Sequence, residues 1–496
     1  MARTTPRFPL GFFGAVFGAV VALTTLWSLA SPLYSIPDEG SHIVRAAAAV
    51  RGQIVEGPEG YDVPDYITRP GGFTCFVGKP TVTAACEKAP DVADPDALTT
   101  LPSSAGSNSP VYYLIVGLPT LVSSGDVALY SMRILSGAIA AALLALTAAL
   151  LRTWPGSRWA LLAPVLAITP TALFLGGGVN PNVVEMTSAG ALVVGLLTLA
   201  KQRPTGWVLW TAGALTVASA ALVTGGRSLG LLWLVFAAVV TVVMMGREDW
   251  RAILRRVSTW VVVGLTAVVG AFALFWFTQP GTQVHALEHP VPGSRWTVFQ
   301  TMVERTFGYW REMIGSFGWL DVVAPEAVFS IIVTGLGALV VGGFVLGRGR
   351  ERYVAMGFGL ALFVVPVVTQ LILFRQVGWV WQGRYMLAVL LMTTIFLGLA
   401  LDRGFPLGLT RNVVSVLRVS IVLVAIAQFL SFFYTLLRYA TGSGSYVALL
   451  KDPGWQPPGG TIALLVLFVA VCVLAVVGIW RALPRLLAPE SRLPAL

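Results

Sequence analysis

Asp38 and Glu39 stand side by side in Ile36-Pro37-Asp38-Glu39-Gly40-Ser41-His42. Two adjacent carboxylates can divide acid–base work: one takes a proton from a reacting hydroxyl, and the other positions it or holds a cation. Pro37 favours a helix start, which would put both acids in the first turn. Asp38 and His42 would then share one helix face. Plain helix capping by acidic residues is the competing reading. A second group is Gly176-Gly177-Gly178-Val179-Asn180-Pro181-Asn182-Val183-Val184-Glu185, where Asn180 and Asn182 offer amides and Glu185 falls inside an apolar run. An ionisable side chain there is expensive and marks a candidate functional site, unless it lies near enough to the interface to be hydrated.

Two more groups are aromatic and basic. Trp379-Val380-Trp381-Gln382-Gly383-Arg384-Tyr385 follows Arg375 closely. Arginine keeps its charge and binds phosphate through a planar fork, although Trp, Tyr and a snorkelling Arg also belong to an ordinary interfacial belt. Phe307-Gly308-Tyr309-Trp310-Arg311 leads to Gly315-Ser316-Phe317-Gly318-Trp319-Leu320-Asp321. This reads as an interfacial helix and a tight turn, with Trp319 and Asp321 as candidate sugar contacts or as a membrane anchor. No His/Cys cluster has zinc spacing, and no nucleotide-type phosphate loop occurs.

These residues must be positioned by helices in a bilayer. Of 496 residues, 56% are hydrophobic and 11% charged, against about 25% charged in soluble chains. Apolar runs near the length needed to cross a bilayer recur at 9–30, 127–151, 159–176, 183–200, 206–223, 228–246, 257–278, 327–347, 354–374, 385–401, 413–437 and 460–480. The predicted fold is all-α, a single polytopic domain of about twelve spans; unbroken runs exclude a barrel, whose strands would alternate. The run 9–30 exceeds a signal-peptide core of about 7–15 residues and reads as a retained span. The shorter run 110–122 reads as re-entrant or interfacial.

The net charge of +10 would suggest nucleic acid in a soluble protein. Here it follows the positive-inside pattern, and no nucleic-acid partner is expected. With both termini in the cytoplasm, Arg3, Arg7, Arg152, Arg158, Lys201, Arg203, the 246–256 and 348–352 loops, 402–411 and the tail from Arg481 all fall on the inner side. The outer side receives the long loops 31–109 and 279–326 and the shorter 375–384 and 441–460, which suggests that this face does the work. Cys75 and Cys86, eleven residues apart in the first of these loops, could form a disulfide in an oxidising compartment; Cys472 reads as a packing residue.

Taken in order, the motifs resemble the bacterial membrane family catalogued as domain of unknown function 2142. The matching pieces are Pro37-Asp38-Glu39 with His42, Asn180-Pro181-Asn182, Gly315 with Gly318-Trp319-Leu320-Asp321, Gln382-Gly383-Arg384-Tyr385 and Gly454-Trp455-Gln456-Pro457-Pro458, covering roughly 9–480. That family is similar in plan to the GT-C glycosyltransferases, polytopic enzymes with an acidic motif in the first exoplasmic loop that take sugars from polyprenyl-phosphate donors. Asn108-Ser109-Pro110-Val111-Tyr112-Tyr113 also looks like the Pro/Tyr entry to the helix after that loop. The large soluble C-terminal domain of many GT-C members has no counterpart here, so acceptor recognition would fall to the loops.

The resemblance implies a plasma (inner) membrane enzyme moving a sugar from a polyprenyl-phosphate donor to a cell-envelope glycan acceptor. Asp38 or Glu39 would be catalytic. His42, Asn180, Asn182, Glu185, Arg375, Arg384, Tyr385, Trp319 and Asp321 would bind substrate, with a divalent metal as a conceivable helper. A transporter or lipid flippase is the main rival, and a non-catalytic envelope-assembly scaffold the second. Against the transporter, no internal repeat is visible and the polar groups gather at one face instead of the midplane.

The topology is directly testable. Reporter fusions after Arg152, Arg256 and Arg352 should report cytoplasm, and fusions near Asp62, Val291 and Trp455 the outside. One reversed site would break the alternation.

Overall fold

A computed structural model describes residues 8–68, 75–87, 94, 97–279, 291, 293–405 and 411–487. Arg3 and Arg7, parts of the 31–109 and 279–326 loops, and the end of the C-terminal tail lie outside the described residues. The chain opens with α1 (Leu10–Ala30) and α2 (Glu39–Ala49). A two-stranded antiparallel ribbon follows, β1 (Tyr61–Pro64) on β2 (Leu98–Leu101), with Tyr61 opposite Leu101. Then come α3 (Val111–Val116), α4 (Gly125–Leu151), α5 (Trp159–Leu162), α6 (Pro170–Gly176), α7 (Pro181–Lys201), α8 (Gly206–Gly226), α9 (Gly230–Met244), α10 (Arg247–Leu254) and α11 (Val257–Trp276). The second half holds α12 (Arg295–Glu304), α13 (Thr306–Gly315), the small hairpin β3 (Ser316–Phe317) and β4 (Val322–Val323), α14 (Glu326–Val345), α15 (Arg350–Val377), α16 (Leu387–Gly404), α17 (Arg411–Thr441), α18 (Tyr446–Lys451) and α19 (Thr461–Leu487).

Ten helices among the described residues are long and apolar enough to cross a membrane, and two bent pairs raise the number to twelve. The run 159–176 is not straight: its halves meet at 74°. The cause lies in Thr169-Pro170. Proline disfavours a helical conformation in the residue before it and opens a new helix as its first residue, and the Thr169 hydroxyl accepts from the Ala172 N–H at 3.2 Å to cap α6. The run 228–246 holds α9 alone, and the chain bends by 113° at its end, between α9 and α10. The stretch 110–122 is a six-residue helix followed by a 3-10 turn, about 9 Å of helix and too short to cross.

Two helices are central. α7 and α16 are buried along nearly their whole length, so their apolarity serves packing between helices. α1, α11, α17 and α19 have few fully buried residues in their most apolar stretches, as lipid-facing helices should. Trp27 of α1, fully buried, meets Phe174 of α6, Phe317 of β3 and Phe432 of α17 with ring centroids 5.6, 5.3 and 5.2 Å away. This aromatic knot ties the two halves of the chain together just below the loops that carry Asp38.

The opposite end gathers the basic loops. There Asp402, near the end of α16, accepts from the N–H groups of Arg158, Trp159 and Ala160 at 2.9, 2.7 and 3.0 Å, which fixes the start of α5. Lys201 donates to the Met244 carbonyl at 2.8 Å, and Arg403 pairs with Glu351 at 2.6 Å. Asp402→Ala should leave three N–H groups without acceptors, a loss of about 1–3 kcal/mol. It should lower the apparent melting temperature in detergent by a few degrees without altering the far end of the bundle; an unchanged melting curve would contradict this role.

Candidate functional site

The site is built on a turn that a helix start alone does not explain. Asp38 occupies the cap position of α2 with φ 63° and ψ 3°, a left-handed conformation that Asp tolerates better than most residues. Its carbonyl accepts from His42 N–H at 3.1 Å, but its carboxylate caps nothing. The turn instead sends the two adjacent acids in opposite directions.

Glu39 goes inward. Its carboxylate meets Arg133 of α4 through two bonds, Nε to Oε1 at 2.7 Å and Nη2 to Oε2 at 2.6 Å. Arg133 also donates to the carbonyls of Ser28, Ser31 and Pro32 at 2.9, 2.7 and 2.8 Å, so all five guanidinium donors are used. The Val179 N–H completes the set, donating to Glu39 Oε1 at 3.0 Å. Both side chains are fully buried. Gly178 makes room: a Cβ there would sit 2.2 Å from Ile36 Cδ1 and 3.1 Å from Glu39 Oε1.

Asp38 goes outward, its side chain about one third exposed. Arg384, at the 3-10 turn before α16, donates to it through Nη2 and to the Pro37 carbonyl through Nη1 at 3.1 Å. The same carbonyl accepts from Asn180 Nδ2 at 2.9 Å. Asn180 Oδ1 in turn caps α7 by accepting from Asn182 N–H at 3.0 Å. Asn182 Oδ1 accepts from Arg227 at 3.2 Å, and the Arg227 guanidinium lies 4.1 Å from the centre of the Tyr385 ring. Burial alone would raise the Asp38 carboxyl, but the neighbouring Arg384 and Arg227 guanidinium groups outweigh it and hold it below the ordinary carboxylate range. Arg384 Nε and Asn182 Nδ2 are buried without partners, donors left over for a further acceptor.

His42 is buried beside this pair. Its Nδ1 and the Tyr113 hydroxyl are 2.9 Å apart, and Asn108 Nδ2 donates to the same hydroxyl at 2.8 Å. Burial pushes the imidazole down to about 3, despite the pull of Asp38, so it is neutral at physiological pH. Among the described residues no group of three or more His, Cys, Asp or Glu side chains could hold a metal ion. The conceivable divalent metal helper has no such ligand set among the described residues.

The structure thus brings together Asp38, Asn180, Asn182, Arg384 and Tyr385, with His42 and Glu185 packed alongside. Glu185 accepts from Trp233 Nε1 at 2.7 Å and feels Arg227. It leaves Arg375 aside. That side chain is exposed and makes no hydrogen bond or ion pair among the described residues. Trp319 and Asp321 serve the first loop: Trp319 Nε1 donates to the Tyr34 carbonyl at 3.3 Å, and Asp321 Oδ2 accepts from Gly78 N–H at 3.0 Å. Cys75 and Cys86 are disulfide-bonded, and Arg438 of α17 holds that segment through the carbonyls of Phe76, Lys79 and Val82 at 2.8–2.9 Å.

Sequence reading missed four residues that build the site. Arg133 sits in the run assigned to the second span and carried the same signal as Glu185, an ionisable group in an apolar stretch. Arg227 is a cation on the face that the charge pattern leaves poor in them. Glu312 of α13 accepts from Gly383 N–H at 2.6 Å, and a Cβ on Gly383 would lie 2.0 Å from the Tyr309 carbonyl oxygen; together they fix the turn that aims Arg384. Gln370, buried in α15, donates to the Gly378 carbonyl at 2.7 Å and accepts from Trp381 N–H at 3.2 Å.

Residues 21–393 match the family model described as predicted membrane protein, domain of unknown function 2142. The chain belongs to that family. It is a multi-pass helical membrane protein, and its Asp38, Asn180–Asn182 and Arg384 groups all lie within the matched span. No curated protein matches the chain. Among solved structures it is similar to ArnT from Cupriavidus metallidurans bound to undecaprenyl phosphate, at 15% identity over 95% of this chain and 75% of that one, TM-score 0.47. The apo form of the same protein matches at 16% identity with the same coverage, TM-score 0.43. The family description assigns no activity, and likeness at these scores assigns none either.

The two acids should separate by stability. Arg133→Gln would strand the buried Glu39 carboxylate, and losing one partner of such a pair costs about 3–5 kcal/mol. Arg133→Gln and Glu39→Gln should therefore give poor yields or clearly lowered melting in detergent, while Asp38→Asn should melt close to wild type. Equal sensitivity at Asp38 and Glu39 would contradict the division.

Proposed function

We propose that this protein is a membrane glycosyltransferase that moves a sugar from a polyprenyl-phosphate donor to a hydroxyl of a cell-envelope acceptor on the outer face of the inner membrane. One observation carries the reading: a partly exposed carboxylate, Asp38, shares a single cluster with Arg384, Arg227, Tyr385 and two asparagines. A lone catalytic acid facing two cations suits a reaction in which a proton is taken at one point and negative charge develops on phosphate at another.

In this reading the acceptor hydroxyl attacks the anomeric carbon. Its proton passes to Asp38, the carbon–oxygen bond to phosphate breaks, and the electron pair leaves on the lipid phosphate, which Arg384 and Arg227 stabilise. Direct displacement inverts the anomeric centre. Asp38 is the base because it alone of the acidic pair is open to substrate. Glu39 is the anchor that lets it be so. His42, neutral and fixed by Tyr113, positions the helix start; no step runs through a metal.

Asp38→Asn keeps the shape and removes the base, so transfer by purified protein from a polyprenyl-phosphate sugar should fall about 10²–10⁴-fold while donor binding survives. The pH dependence follows from the depressed Asp38 value. The base is already ionised at neutral pH and stays so as pH falls, so the acid limb of kcat/KM, which reports the free protein, should lie below the ordinary Asp value of about 3.9. Arg384→Gln removes the cation but leaves the burial, and should move that limb to higher pH as well as weaken donor binding. Normal transfer by Asp38→Asn, or solute movement across vesicles by a wild type that transfers no sugar, would replace this reading with the transporter.

A further inference from the structure

A second site lies at the other end of α2. The helix spans eleven residues, about 16 Å, with Asp38 just before its start and Arg51 just past its end. Beside Arg51 opens a crevice of about 320 Å³ whose polar lining comes from Arg51, Tyr66, Thr120, Ser123 and Ser124. Ligand pockets begin at roughly this size.

Three features give the crevice its chemistry. Arg51 is fixed in place, donating to the Ala47 carbonyl at 2.9 Å and to the hydroxyl and carbonyl of Thr120 at 2.8 Å each; a guanidinium has five donors, so donors remain. The Tyr66 hydroxyl is buried against the Arg51 guanidinium and feels its charge. Ser124 is the residue before α4, and its hydroxyl caps no N–H of that helix, whose positive dipole end borders the crevice. Among the described residues no acidic side chain lines the crevice; Asp126, in the first turn of α4, is outside it. These are the groups that hold an anion.

The surroundings say where the anion comes from. Ser123 and Ser124 immediately precede a membrane-crossing helix, which sets the crevice at headgroup depth. Leu114, Leu118, Leu121 and Val122 are exposed on the same segment, an apolar strip that no described residue covers. A soluble anion would have no use for that strip, whereas acyl chains would lie on it.

We propose that this crevice binds the phosphodiester headgroup of an anionic membrane phospholipid, with its acyl chains along Leu114–Val122. The lipid would brace the far end of the helix that begins at Asp38. The site is independent of the reaction proposed above.

The test uses the purified full-length protein, stripped of lipid, and native mass spectrometry with phosphatidylglycerol or phosphatidylcholine of equal chain length. Phosphatidylglycerol should bind at least about fivefold more tightly. Arg51→Gln should abolish that preference, since a charge-assisted contact accounts for about a tenfold change. Tyr66→Phe, which removes only the hydroxyl and leaves the bonds of Arg51 to Ala47 and Thr120 intact, should weaken phosphatidylglycerol about threefold and guards against misfolding of the arginine variant. Equal binding of the two lipids, or a preference unchanged in both variants, would overturn the site. Displacement of the lipid by inorganic phosphate at equal concentration would overturn the lipid assignment in favour of a soluble anion.

Discussion

The Glu39–Arg133 pair is the joint on which the Asp38 end of the molecule turns. A carboxylate and a guanidinium with no exposure to water are costly to bury, and the cost is offset here only because every donor of the arginine and both oxygens of the glutamate are satisfied. The bonds reach the last carbonyls of α1, the Pro32 turn, α4 and the Gly176–Val179 turn. Remove either partner and four segments lose their common reference point. Since α1 and α4 cross the membrane, the joint also sets the depth at which α2 begins.

That joint explains why two neighbouring acids differ so much. The left-handed backbone at Asp38 is what permits Glu39 to reach inward while Asp38 faces out to Arg384. The Pro37 carbonyl gathers Asn180 and Arg384 onto the same turn, bringing α7 and the start of α16 to it. A cluster of charged groups keeps its geometry only on rigid support. The support here comes from glycine contacts at Gly178 and Gly383, from Glu312 under the Arg384 turn, and from the disulfide-bonded segment that Arg438 and Asp321 pin to α17. Arg384 in this state neutralises Asp38. In the proposed reaction an arriving lipid phosphate would compete for the same guanidinium, so donor binding and exposure of Asp38 would be coupled through one side chain.

Much of this was legible in residue types and little of it in pairings. Apolar runs located the spans because a bilayer demands them, and Asp38, Asn180, Asn182, Arg384 and Tyr385 stood out as polar groups where polarity is expensive. Which acid faces outward was not legible, because Glu39 finds its partner 94 residues away and Asp38 finds Arg384 346 residues away. Only packing of α4 and α16 against the first turn decides it. Arg133 was overlooked because a single arginine hardly changes the hydropathy of a long run, although its charge in that setting was the signal. Thr169-Pro170 carried the bend of the third apolar run openly, through the restriction proline places on its predecessor. Trp319 and Asp321 looked like a sugar platform by type; three-dimensional contact makes them fasteners of the first loop.

Where a lipid phosphate binds decides whether this cluster handles phosphate. The most direct measurement is an experimental structure of the protein in nanodiscs with a polyprenyl phosphate. Phosphate density within hydrogen-bond reach of Arg384 and Arg227, with the Asp38 carboxylate released from Arg384 and open beside it, is the predicted result. A polyprenyl phosphate seated elsewhere, with the Asp38–Arg384 pair intact and Arg227 still folded onto Tyr385, would contradict the claim that this cluster is a phosphate-handling centre.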